Sequence, residues 1–111
     1  MSLDKKNVIY QTKCQNCPAN YIGESSRTAK IRVNEHSNDI QKSRIRNHMY
    51  IHERDENHKF DLKNINILMQ ESQHRPRKFI EGVFTHFDPN SINRAQEVPT
   101  AYLNVLQSAL Q

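Results

Sequence analysis

The chain has 111 residues, of which 35% are apolar and 25% charged, with two cysteines and a formal net charge of +4. This suits one domain with a modest core and a broad polar surface, and it favours an anionic partner. No apolar run is long enough to span a membrane, no signal-peptide core opens the chain, and two cysteines are too few for a disulfide scaffold.

Residues 1–6 are polar and expected to be loose. Residues 8–12 (VIYQT) and 20–23 (NYIG) read as two short strands joined through a tight turn holding Cys14, Cys17 and Pro18. Strand side chains alternate, so one tyrosine from each strand, Tyr10 and Tyr21, can stand on the same face of the hairpin. Glu24, Ser25 and Ser26 supply a helix start. Ala29, Val33 and Ile40 form the stripe of that helix that packs on the sheet, with Arg32 and His36 one turn apart at the core's margin. A second helix is expected over residues 43–53, with His48 and His52 on one face, then a polar turn over 55–61. Residues 64–70 (NINILMQ) form a third strand, with Leu68 pointing to burial on both faces.

Ser72 can cap a third helix that admits Pro76 in its first turn. Phe79, Ile80, Val83, Phe84 and Phe87 form its apolar stripe, and Glu81 lies beside that stripe. A last amphipathic helix is expected over 99–110, using Tyr102, Leu103, Leu106 and Leu110. The fold class is α/β of the α+β kind: a small, mostly antiparallel three-stranded sheet flanked by helices, in the order β-β-α-α-β-α.

Two phenols, a guanidinium and an imidazole converging over a small sheet suit phosphate chemistry better than a filled core. Taken alone, a strand tyrosine is ordinary, and a free phenol titrates near pH ~10, which makes it a poor base without a nearby cation. Arg32 suits phosphoryl displacement, because its planar fork holds two phosphate oxygens and its charge persists. The Cys14/Cys17 knuckle with two histidines suits tetrahedral zinc, the pair being either His52 with His58 or His48 with His52. A thioredoxin-type redox pair is disfavoured, because that motif opens a helix and this one lies within a hairpin. Arg27, Lys30, Arg44, Arg46, Arg75, Arg77 and Lys78 are candidates to track a nucleic-acid backbone, setting affinity and not sequence.

Ile9-Tyr10, then Tyr21-Ile22-Gly23, then Arg32 with His36 four residues on, resembles the GIY-YIG endonuclease superfamily. The Cys-x-x-Cys between the tyrosine motifs, the His52 to His58 segment, and Glu81 followed by Pro89 and Asn93 resemble the endonuclease domain of Penelope-like retroelements. The likeness spans about residues 7–93, with Val8 where the first motif usually has glycine. It implies one nuclease domain over residues 1–111, acting in the nucleus as a metal-dependent DNA endonuclease that nicks target DNA for retroelement integration. Tyr10, Tyr21, Arg32, His36, Glu81 and Asn93 would be its catalytic residues. Glu81 would hold Mg²⁺ or Mn²⁺, and Cys14, Cys17, His52 and His58 a structural Zn²⁺. The partners implied are DNA, a reverse transcriptase and, for a double-strand break, a second copy of the chain. The alternative is a catalytically inactive zinc-knuckle module that only binds nucleic acid.

Overall fold

The computed structural model describes residues 3–92. Among them lie a three-stranded antiparallel sheet and three helices, in the order the sequence predicts. β1 (Val8–Lys13) is the central strand, flanked by β2 (Asn20–Ser25) and β3 (Asn66–Gln70). The expected helix over 99–110 and Asn93 lie outside the described residues.

Directly paired residues of antiparallel strands share a face, and the register places Tyr10 opposite Gly23 and Thr12 opposite Tyr21. Both tyrosines therefore stand on one side of the sheet, as expected. The pairing also explains the glycine, since a Cβ at Gly23 would lie 2.5 Å from Cζ of Tyr10. Only a residue without a side chain lets the Tyr10 ring lie across β2. Val8 is fully buried and packs with Tyr10 and Ala29. β3 pairs with β1 through a bulge: Ile9 faces Met69 while Tyr10 faces Ile67, leaving Leu68 as the extra residue. As an edge strand it buries less than the sequence suggests. Leu68 is half-buried and Met69 exposed.

α1 (Ala29–Gln41) starts later than expected. Ser25 is still paired with Val8, so β2 runs on, and the cap falls to Thr28, whose hydroxyl accepts from the Ile31 amide. Residues 3–6 are tied down and not loose: the carbonyls of Leu3 and Lys5 accept from the first amides of α1. α2 (His48–Glu56) likewise starts at Asn47 and not at Ser43. Residues 42–46 form a turn with Ser43 in the left-handed region (φ 56°), which a continuous helix does not allow. Its far end is closed by Asn57, also left-handed (φ 55°).

α3 (His74–Phe87) has Gln73 at its N-cap, with no side-chain capping bond, so the Ser72 cap is corrected. Pro76 does fall in its first turn. Its most deeply buried residues are Arg77, Glu81, Gly82 and Thr85. The apolar residues Val83, Phe84 and Phe87 instead line a groove with Gln11, Ile22 and Leu68, on the sheet face away from the tyrosines. A buried ion pair explains the exchange. Arg77 Nε donates to Glu24 Oε2 at 2.7 Å, and its NH1 reaches Asn7 Oδ1 and the Glu71 carbonyl. This clamps α3 to β2 and to the start of β1.

Candidate active site and metal centre

A cleft of about 410 Å³ opens beside the tyrosine face, and Tyr10, Tyr21, Arg32, His36 and Glu81 all line it. β1 and β2 supply the phenols, α1 the guanidinium and imidazole, and α3 the carboxylate. The Tyr10 and Tyr21 rings lie 6.4 Å apart, and Tyr21 meets the His36 ring edge-on at 5.0 Å. Glu24, Asp39, Arg44, Arg46, Asn47, His48 and Lys78 complete the wall.

His36 is 1% exposed, inside the core and not at its margin. Its Nε2 lies 2.7 Å from Tyr10 Oη and its Nδ1 2.9 Å from Asn47 Nδ2. Both ring nitrogens are engaged, so the ring reaches a bound molecule only through its neighbours. Burial, with Arg32 nearby, lowers the imidazole pKa to about 4, so His36 is neutral at physiological pH.

Tyr10 is held well above the ordinary phenol range, first by burial and then by the adjacent Tyr21, with Arg32 opposing. Tyr21 is raised for the same first reason and is likewise opposed by Arg32. Neither phenol is a resting base: burial outweighs the guanidinium. Burial pulls the Arg32 pKa down, but Tyr10, Tyr21 and Glu35 outweigh it and leave the guanidinium more firmly charged than usual.

Glu81 is 7% exposed. Lys78 Nζ lies 3.7 Å from Glu81 Oε1 and 3.6 Å from Glu24 Oε1. Two carboxylates thus flank one lysine ammonium at the cleft wall. Glu24, Asp39 and Asn47 were not legible as site residues. Glu24 directly follows the Tyr-Ile-Gly motif, and Asn47 carries the ordinary signal of a helix cap.

The basic residues divide. Arg44 and Arg46 line the cleft, Lys30 and Arg75 are exposed, and Lys78 stands at the cleft wall. Arg27 is exposed but tied to Glu35 at 2.6 Å. Arg77 does not belong to a nucleic-acid surface: it is 2% exposed and spends its donors inside the chain.

On the other side of the hairpin turn, Cys14, Cys17, His52 and His58 bring their ligand atoms within 4.8 Å of one another. The segment after α2 runs alongside the knuckle and delivers His58. Gln15 N–H donates to the Lys59 carbonyl, Asp61 N–H to the Lys13 carbonyl, and Lys59 N–H to Asn16 Oδ1. Cys17 Sγ lies 3.4 Å from His52 Nε2, Cys14 Sγ 3.5 Å from His58 Nδ1, and the two ring nitrogens 3.3 Å apart. Ordinary zinc bond lengths in a tetrahedron give edges of about 3.6 Å between sulfur and nitrogen and about 3.3 Å between nitrogens. The fit is close. The set can bind a metal such as zinc, and His48 is not part of it. Burial raises the Cys14 thiol pKa, partly offset by the Asn16 amide donating to its sulfur.

Among the described residues no helix is long and apolar enough to cross a membrane. Compared with known proteins, the chain matches no family model, no curated protein and no solved structure.

Proposed function

We propose that the chain is a GIY-YIG-type DNA endonuclease, resembling that of Penelope-like retroelements, which hydrolyses phosphodiester bonds one strand at a time. The observation that carries this reading is convergence: two phenols, a guanidinium and a carboxylate from separate elements line one polar cleft. Few folds need such a set for stability. In this reading Arg32 holds two oxygens of the scissile phosphate and offsets the charge that develops there. A phenol takes a proton from the attacking water only after losing its own to solvent in the cleft. Burial opposes that loss and Arg32 favours it. A divalent cation, Mg²⁺ or Mn²⁺, on Glu81 would supply electrophilic stabilisation of the phosphate. Arg44, Arg46 and Lys30 track the DNA backbone, and Asn93 keeps the orienting role the resemblance implies. The Cys14, Cys17, His52 and His58 set is a closed structural zinc site outside the chemistry. Nicking target DNA in the nucleus for retroelement integration, together with a reverse transcriptase, is the setting of the reading.

The test is a supercoiled plasmid incubated with the zinc-loaded protein, with and without added Mg²⁺ or Mn²⁺. Nicked circles that need the added ion are expected. Intact plasmid under every condition would overturn the reading. It would favour a zinc-knuckle module that only binds nucleic acid, for which the observation is that both phenols are held neutral. Retention of the plasmid in a gel-shift measurement without nicking would identify that module.

A further inference from the structure

Asn47 does three things with one side chain. As N-cap of α2, its Oδ1 accepts from the Met49 amide at 2.9 Å. Its Nδ2 donates to Asp39 Oδ2 at 3.1 Å and faces His36 Nδ1 at 2.9 Å. The amide cannot be turned over. A backbone N–H can only donate, so the oxygen must face Met49. The Asp39 carboxylate, which is also paired with Arg44 Nε at 3.3 Å, accepts on the other side. Nδ2 therefore points its hydrogens at Asp39 and at His36.

We propose that Asn47 is a positioning residue for Tyr10: it fixes His36 as the Nε2–H tautomer, so that the imidazole donates to the tyrosine oxygen. Nδ1 faces a donor and must present its lone pair, and in a neutral ring the proton then sits on Nε2. That nitrogen is 2.7 Å from Tyr10 Oη, which accepts from it and must direct its own O–H elsewhere. His36 is thus not the base that strips Tyr10. When Tyr10 gives up its proton, the same N–H becomes a donor to a phenolate, a charge-assisted bond of the stronger kind. Tyr21 meets the His36 ring edge-on, and its donor is instead the Arg32 guanidinium. The imidazole N–H is thus aimed at Tyr10 and the guanidinium at Tyr21, each a donor that favours the deprotonated phenol against burial. The neutral state of the buried imidazole agrees with this tautomer.

The catalytic consequence rests on the endonuclease reading; the tautomer does not. The experiment uses the full zinc-loaded chain with ¹⁵N-labelled histidine, and His36 is assigned by its loss in His36→Gln. Two-bond ¹H–¹⁵N spectra should show Nε2 protonated and Nδ1 bare. Asn47→Asp keeps an oxygen for the cap but offers His36 an acceptor, so the proton should move to Nδ1. Asn47→Ser also keeps a cap and removes the donor, so the single tautomer should be lost. Nicking at saturating DNA and Mg²⁺ should fall in both variants on the order of a hundredfold, the low end of what a positioned proton donor contributes. DNA affinity should be retained. Nδ1 protonated in the parent would overturn the proposal whatever the nicking result, as would unchanged nicking in an Asn47→Asp chain whose tautomer had switched. A parent with the Nε2 proton but no nicking would remove the endonuclease reading and leave the tautomer assignment standing.

Discussion

At the scale of single residues, the cleft depends on opposing effects of burial. Burial makes Tyr10 and Tyr21 poor acids and His36 a poor base, while Arg32 keeps its charge through its neighbours. Arg32→Lys retains the charge and loses the two-pronged geometry. Turnover should then fall by about tenfold or more with nearly unchanged DNA affinity, read from single-turnover nicking beside a binding titration. Equal losses in both would make Arg32 a binding contact only. Glu81→Ala should abolish ion-dependent nicking. Lys78 keeps Glu24 as a partner in that variant, so thermal unfolding should show a cost of only about 1 kcal/mol. His36 also predicts a pH effect. Its folded-state pKa, about 4, lies below the ordinary 6.5, so the unfolded chain binds the extra proton between those values. The stabilisation is complete above about pH 6.5 and is lost as pH falls toward 4, worth about 3 kcal/mol. The measure is the difference between the parent and His36→Gln, whose stability curve should be flatter there.

At the scale of elements, the hairpin β1–β2 serves two sites at once. Its inner part presents Tyr10 and Tyr21 to the cleft, and its turn presents Cys14 and Cys17 to the histidines. Because a two-stranded hairpin is marginal alone, a metal at the turn would stabilise the strands that carry the phenols. Purified protein should contain one zinc per chain by elemental analysis. His58→Ala should lose the metal and lower the unfolding temperature, whereas His48→Ala should keep it, since His48 stands outside the ligand set. Equal zinc content in the two variants would remove the site as described. α3 has a comparable double duty: Arg77 secures it to Glu24, and Glu81, one turn on, reaches the cleft.

At the scale of the whole molecule, the cleft wall mixes charges, with Arg32, Arg44, Arg46 and Lys78 set against Glu24, Asp39 and Glu81. Arg44 and Arg46 lie on the loop between α1 and α2 that forms part of its wall, and Lys30 is exposed on α1. DNA affinity should fall linearly with salt on logarithmic axes, and Arg46→Ala should reduce that slope by about one, whatever the DNA sequence. Arg77→Ala should behave differently, losing stability because Glu24 Oε2 loses its buried donor and keeps only the longer Lys78 contact, and not through a phosphate contact. An unchanged salt slope in Arg46→Ala would take the loop out of the interface.

Much of this was legible in the chain because it is local. Period-two alternation placed Tyr10 and Tyr21 on one face, the Cys-x-x-Cys spacing marked the knuckle, and helical spacing set Arg32 beside His36. Those relations span a few residues and follow from backbone geometry. What the chain did not disclose depends on contacts between distant segments. Gly23 is needed because the Tyr10 ring crosses it from another strand. His58 and not His48 joins the cysteines because the backbone after α2 pairs alongside the knuckle. Arg77, which reads as a surface cation, is buried because Glu24 lies opposite it on β2. Asn47 reads as a helix cap, and only packing α1 against α2 brings its amide to His36. Local periodicity determines which residues share a face; which faces meet is decided by the packing of whole elements, and the cleft exists only after that step.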